Sequence, residues 1–423
     1  MKINWLLPAS VFVLLSLLPS FTYSDLYNQT YETISQSAPW QWEFLGPYGG
    51  NINKIIIDTD DPQELYILVS SLGNIFYSRN QGNSWDKLAG FNQECSDMAV
   101  DPNDPERFYV VSHSCIFKSV DRGKNWETID LGTECTLNHI AVDPLDSRII
   151  YMTGSYGSEE YMAVYQSKNG GESWSRKIIN DSVKGGGSYA IAISPSVPNI
   201  IFISGTYSSE SGLQHRLYKT INSGSTWREV SNPINALALS IAFDPQDPLR
   251  IYTISSWGIY ISSDGGDSWE KAKSLATGYR LMIDPVNPNI IYAGGNGCIN
   301  KSIDRGETWL RYTNGLRGTC NTLAMQNSTV YLGSEYGLYK SLDEGQNWAS
   351  SHQGIGNMKI SLLAVSPSSP NVIYARAEYA GFYRTQDSGK TWSELDPPPN
   401  CNNISEFVVN PQNSQELFSL SGG

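Results

Sequence analysis

Apolar and polar positions along the chain recur in blocks of roughly forty residues, the size at which strand-built repeats stack as successive sheets. Each block opens with a nearly continuous apolar run, turns at Asp-Pro or a relative, and returns as a second run. Clear copies are Met98–Pro102 leading to Phe108–Val111, Ile140–Pro144 to Ile149–Tyr151, Ile241–Pro245 to Ile251–Tyr252, and Met282–Pro285 to Ile290–Tyr292. Ser-Pro takes the turn at Ser194–Pro195 and Ser366–Pro367, and a weaker first copy joins Ile55–Asp58 to Leu65–Tyr66. Runs without alternation predict strands buried on both faces. A third segment alternates apolar and polar, as at Gly258–Ser262, Gly337–Ser341 and Gly381–Thr385, and predicts a half-buried strand.

An octapeptide ends each third segment: Ser/Thr, any, Asp/Asn, any, Gly, any, any, Trp. Its copies are Ser78–Trp85, Ser119–Trp126, Ser167–Trp174, Thr220–Trp227, Ser262–Trp269, Ser302–Trp309, Ser341–Trp348 and Thr385–Trp392. Successive Trp residues lie 41, 48, 53, 42, 40, 39 and 44 apart. The third position can accept backbone N–H groups ahead of it in an Asx-type turn, and Gly in the fifth admits positive φ. Trp then opens a fourth strand and packs its ring between sheets. The structural residues are Asp121, Gly123 and Trp126; Asp264, Gly266 and Trp269; Asp304, Gly306 and Trp309; Asp343, Gly345 and Trp348; and Asp387, Gly389 and Trp392. Asn80, Asn169 and Asn222 fill the acid position in the other copies. A turn cap tolerates that exchange, whereas a catalytic acid does not.

The expected fold is all-β: a single β-propeller of four-stranded antiparallel blades, with eight complete repeats and a partial ninth. Trp42–Leu45 resembles a fourth strand without an octapeptide, and the tail offers Ile404–Val409 and Leu417–Leu420. Joining them would close the ring and protect a sheet edge. Eight blades with trailing strands, or a shortened copy of something longer, are the alternatives, because the tail stops where another third strand would begin.

Residues 1–24 read as a cleaved signal peptide, with Lys2, the apolar stretch Val11–Leu18 and small residues at Thr22–Ser24. Residues 25–39 read as a linker and 40–423 as the propeller. The expected location is secreted or periplasmic. No later segment is long and apolar enough to span a bilayer. The net charge of −13 disfavours nucleic acid; it suits basic peptides or cationic surfaces, but solubility alone is sufficient reason for it. No cofactor motif is present, and six Cys without a C-x-x-C pair, with four His, give no metal pattern. The sequons at Asn28, Asn180, Asn327 and Asn403 matter only in a host that glycosylates exported proteins.

The octapeptides resemble the Asp-box, or BNR, repeat along nearly the whole chain. The resemblance extends to sortilin-type receptors, photosystem II assembly factors, xyloglucan-hydrolysing glycosidases, and exported bacterial proteins without assigned activity. It implies a fold and leaves function open. Sialidases share the box, but their Arg-Ile-Pro segment is missing, and no Arg lies between the leader and Arg79. Where the glycosidases carry a first-blade catalytic Asp, Ile67–Asn74 has Ser71. Glu378, in Tyr374–Gly381, occupies a similar position in a later blade. An inverting mechanism needs two facing carboxyls.

Loops between second and third strands share one face with the blade-to-blade connections. They carry Tyr156, Glu159 and Tyr161, Tyr207 and Glu210, Trp257, Glu335 and Tyr336, and Glu378 and Tyr379. Aromatic platforms beside carboxylates suit sugar rings or basic peptides. The long third and fourth blades place their extra length at 154–161 and 205–215, the expected recognition elements. Cys115, Cys135, Cys298 and Cys320 fall on this face, and Cys115–Cys135 and Cys298–Cys320 are the candidate disulfides, with Cys95 competing for Cys115 and Cys401 left over. The favoured function is a non-catalytic extracytoplasmic binding or assembly scaffold for a protein or peptide. The alternative is a carbohydrate-active propeller, a glycoside hydrolase or lectin acting on a polysaccharide.

Overall fold

The computed structural model describes residues 49–132, 134–180, 184–209, 212–230, 237–273, 278–351, 360–377, 381–395 and 404–421. The expected leader, the linker, Trp42–Leu45, Glu210, Glu378, Tyr379 and Cys401 lie outside them.

Eight consecutive four-stranded antiparallel sheets form, each from one repeat, followed by a two-stranded ninth. They span 52–90, 95–130, 135–178, 184–230, 240–271, 280–312, 322–350, 360–395 and 404–421, and are numbered sheets 1 to 9. Second strands such as Leu65–Val69 and Ile251–Ser255 are buried at every position, as unbroken apolar runs require. Fourth strands are short and largely exposed, down to Glu270–Lys271 and Ala349–Ser350, which leaves little edge for another chain to pair with.

All eight octapeptides make one turn. The first hydroxyl donates to Oδ1 of the third residue at 2.7–3.0 Å. It also accepts the N–H of the fifth, a glycine, at 2.7–3.0 Å. The same Oδ1 accepts the N–H of the seventh at 2.8–2.9 Å. An amide oxygen does this as well as a carboxylate, so Asn and Asp copies superimpose in their bonding. The fourth residue sits at positive φ in Gln81, Arg122, Ser223, Arg305, Glu344 and Ser388, between 54° and 61°. That shared backbone aims the fourth side chain the same way in these six blades; Gly170 and Gly265 take the position in the other two.

Neighbouring sheets pack through apolar faces and a recurring staple. The second-strand tyrosine donates to a carbonyl in the next sheet's octapeptide: Tyr109 to Gly170, Tyr151 to Ser223, Tyr252 to Arg305 and Tyr292 to Glu344, each at 3.2 Å. Tyr331 of sheet 7 makes the same bond, at 3.1 Å, to Gln81 of sheet 1. Ile52, Ile55, Ile67 and Val69 of sheet 1 share a buried cluster with Tyr331 and Leu338 of sheet 7. A Cβ on Gly333 would come within 2.6 Å of Ile52 Cγ2, so glycine is what lets the first strand close in. Trp85 Nε1 donates to Ser351 O at 2.7 Å, and Lys340 Nζ to Gln81 O at 2.8 Å.

Among the described residues the ring therefore closes between sheets 7 and 1; the closure expected through Trp42–Leu45 involves residues outside those described. Sheets 8 and 9 form a separate pair, joined by Tyr374, Phe407 and Val409 and by Tyr374 donating to Ser414 O at 2.8 Å. Sheet 8 touches sheet 7 through Tyr336, beside Ala375 and Tyr383. Arg317, in the loop between sheets 6 and 7, adds an ion pair to Glu394 at 2.7 Å. Leu363 and Val365 match Ile241 and Phe243 in register. The latter pair is 9% and 8% exposed, whereas Leu363 and Val365 are 63% and 46% exposed, because sheet 1 already occupies the partner face of sheet 7.

Candidate functional site

The enlarged loops of sheets 3 and 4 build the most elaborate part of the loop face. Tyr156 and Tyr161 pair across the end of a hairpin whose turn holds Glu160 at positive φ. Tyr156 donates to Glu134 at 2.6 Å, and the Arg176 guanidinium covers its ring. Tyr161 donates to Glu159 at 2.5 Å, and Glu159 pairs with Lys184 of sheet 4 at 2.5 Å. Lys184 and Tyr161 hold the Glu159 carboxyl below its ordinary range. Two backbone bonds, Gly185 N to Glu159 O and Gly186 N to Glu160 O, tie the turn to the next sheet. Tyr207 accepts from Arg216 Nη2 at 2.6 Å, and Arg216 also pairs with Glu229. Of the predicted residues, Tyr161 and Glu159 pair with each other, while Tyr156 and Tyr207 pair with Glu134 and Arg216.

Trp257 stands differently. Its side chain is 65% exposed on a tight turn fixed by its N–H donating to Ser255 Oγ at 3.1 Å. Glu335 and Tyr336 are drawn into structure: Glu335 accepts the Thr319 N–H at 2.8 Å, and Tyr336 packs against sheet 8.

The central mouth of the ring holds a cluster that the loop-based reading missed. Lys54, Asp97 and His139 occupy the same register on the innermost strands of sheets 1, 2 and 3. Asp97 pairs with Lys54 at 2.9 Å, lies 3.7 Å from His139 Nδ1, and accepts the Ile140 N–H at 3.2 Å. Burial alone would raise the Asp97 carboxyl, but Lys54 and His139 outweigh it and hold it well below the usual range. Arg280, in the same register of sheet 6, bonds Asn321 O and Leu239 O. Tyr189 and Tyr279 are partly exposed one position earlier. The signal was the polar residue just ahead of each first-strand apolar run.

Five of the six cysteines lie among the described residues. The five described are free thiols. Cys95 and Cys115 lie on either side of the strand that carries Ser112, so the sheet separates them. Cys135 Sγ turns to Gly132 O at 3.1 Å, not to Cys115. Cys298 and Cys320 both border Gly295, to which Cys320 N donates at 3.0 Å. Among the described residues no three His, Cys, Asp or Glu side chains group as a metal site requires. No described helix is long and apolar enough to cross a membrane.

A family model described as Sortilin, neurotensin receptor 3, matches residues 73–186. A xyloglucanase from a Paenibacillus species is 22% identical over 90% of this chain, but the match spans 35% of that protein. The photosystem II assembly lipoprotein Ycf48 of Prochlorococcus marinus is 25% identical over 71% of this chain and 85% of its own length. These are all β-propeller families. Among solved structures, the Niastella koreensis GH74 enzyme superimposes with a TM-score of 0.62 at 15% identity, covering 89% of this chain and 70% of its own. A structure of Ycf48 bound to D1 peptide gives 0.51 at 16% identity, covering 72% and 94%. At these identities the structural likeness speaks for the propeller fold.

Proposed function

We propose that this protein is a non-catalytic, extracytoplasmic scaffold that binds a protein or peptide segment on the loop face of its ring. The observation that carries this reading is how that face uses its charges. Glu134 orients Tyr156, Glu159 orients Tyr161 and Lys184, Glu229 holds Arg216 beside Tyr207, and Glu335 caps a backbone N–H. These carboxylates spend their bonding on fixing aromatic platforms, and rigid Tyr and Trp surfaces beside charge suit peptide recognition. Ycf48 adds support: it matches over most of its own length and has been seen with a peptide bound. Assembly lipoproteins and xyloglucanases both favour an extracytoplasmic place of action.

The second reading is a carbohydrate-active propeller. The match to xyloglucanase across 90% of this chain favours it. One experiment separates them. Purified protein is crosslinked within its native envelope or secretome fraction, and crosslinked peptides are mapped. The scaffold reading expects crosslinks to a protein partner near the loops of sheets 3 to 5, lost in Trp257→Ala and in Tyr156→Ala with Tyr161→Ala. Retention or cleavage of xyloglucan with no protein crosslink would overturn it, and Glu378→Gln would then test for a catalytic acid.

A further inference from the structure

The opposite face, where the octapeptide turns lie, carries a cavity of about 420 Å³ between sheets 6 and 7. Its lining includes Asp284, Val286, Tyr292, Met325, Asn327 and Glu344. It arises where sheet 7 departs from the repeat: Met325-Gln-Asn-Ser-Thr-Val330 replaces the longer Asp-Pro turn with a tight hairpin, Asn327 at positive φ. Beside this shorter turn Met325 is part-exposed, while Tyr292 stays fully buried.

What the cavity would accept can be read from its counterparts. In sheets 1 and 5 the Asp of the turn between first and second strands faces the fourth octapeptide residue of the next sheet. That residue is arginine both times. Arg122 lies 3.4 Å from Asp58, 3.3 Å from Glu64 and 3.5 Å from Asp60, and Arg305 lies 3.9 Å from Asp244. The Asp58 and Asp244 side chains are fully buried there, and Asp101 and Asp143 are buried as well at the junctions where Gly170 and Ser223 take the arginine's position. At the sheet 6–7 junction the same backbone position, at φ 58°, holds Glu344, which lines the cavity together with Asp284. No arginine fills the gap, and Asp284 is half-exposed. Burial, Glu344 and Asp284 push the Tyr292 hydroxyl up, and burial, Glu64 and Asp58 push Tyr66 up against the opposing pull of Arg122. Lys301 pairs with Glu344 at 2.6 Å and leaves Asp284 uncompensated.

We propose that this cavity is a binding site for an alkylguanidinium, the end of an arginine side chain supplied from outside the fold. The planar cation would lie between Asp284 and Glu344, where bidentate bonding is available. Its methylene stem would run over Met325 and the exposed Val286. The site is on the face opposite the peptide-binding loops proposed above and does not depend on that reading.

The test uses isothermal titration of the intact protein with a blocked Gly-Arg-Gly peptide, its citrulline analogue, and methylguanidinium. Citrulline keeps the shape and removes the charge. The arginine peptide should bind at least tenfold more tightly than the citrulline peptide. Asp284→Asn should cost about tenfold as well, since an amide oxygen keeps the turn bonds to Val286 and Asn287 but not the charge. The double variant Lys301→Ile with Glu344→Arg copies the Ile261 and Arg305 pair of the preceding junction and should abolish binding by filling the site from within. Methylguanidinium binding as well as the peptide would identify a small guanidine as the source of the group; preference for the peptide would identify a protein segment. Equal binding of arginine and citrulline peptides, no binding of either peptide or of methylguanidinium at millimolar concentration, or arginine binding unchanged in Asp284→Asn would overturn the assignment.

Discussion

Removing sheets 8 and 9 decides where the ring closes. A chain ending at residue 358 keeps Ser351 and every described contact between sheets 7 and 1. What it loses at the ring is the exposed Arg317–Glu394 pair, worth about 0.2–1 kcal/mol, and the cover over Tyr336. The joint itself is far larger. Opening it would expose Ile52, Ile55, Ile67, Val69, Tyr331 and Leu338, all at most 5% exposed. At roughly 1.5–3 kcal/mol for each large apolar side chain, that sum matches or exceeds the whole stability of a typical domain. The shortened chain should therefore melt cooperatively, within a few degrees of the full chain, by calorimetry. It should also resist proteolysis between residues 52 and 351. Leu338→Ala in the same background should cost about 2–5 kcal/mol, read as a loss of roughly 4–10 °C. A shortened chain that is digested throughout, or that melts without cooperativity, would refute closure at sheet 7.

Two further outcomes follow from the local chemistry. Hydrogen bonds from Asn125, Asn347 and Thr391 are the largest influence pulling the Asp121, Asp343 and Asp387 carboxyls down to about 2. A depressed carboxyl contributes stability above its unfolded value, near 3.9, and loses it as pH falls toward 2. Changing all three to Asn should leave the melting temperature near neutrality almost unchanged and flatten its fall between pH 5 and pH 2; an unchanged slope would remove the turn carboxylates as its cause. Burial pushes the Cys95 and Cys320 thiols up to about 12, while Cys115 is only half-buried. Brief iodoacetamide treatment at pH 8 should label Cys115 first among the five described cysteines, by peptide mass spectrometry, and early labelling of Cys320 would contradict its burial.

The blade was legible because its signals are local. Asp-Pro turns, the alternating third strand and the octapeptide each act within a few residues, and every one became the element it predicts. Ring closure was not legible, because it depends on how many wedge-shaped sheets complete a circle. Leu363 and Val365 read like Ile241 and Phe243 in sequence, yet one pair is exposed and the other buried. The site was legible only in part. Tyr156, Glu159 and Tyr161 declared themselves as an aromatic and acidic loop, but their partners Glu134, Arg176 and Lys184 come from neighbouring segments. Lys54, Asp97 and His139 meet only once three sheets are in place.

Among the described residues, the joint between sheets 7 and 1 is made by side chains laid face to face, with no strand exchanged across it. This has a mechanical meaning. Tension applied along the polypeptide reaches that joint as a load on one apolar interface and a few side-chain bonds, while each sheet is held by parallel rows of backbone hydrogen bonds. The wheel would unlatch into a ribbon of intact sheets before any sheet unravels, and on release the same faces could meet again.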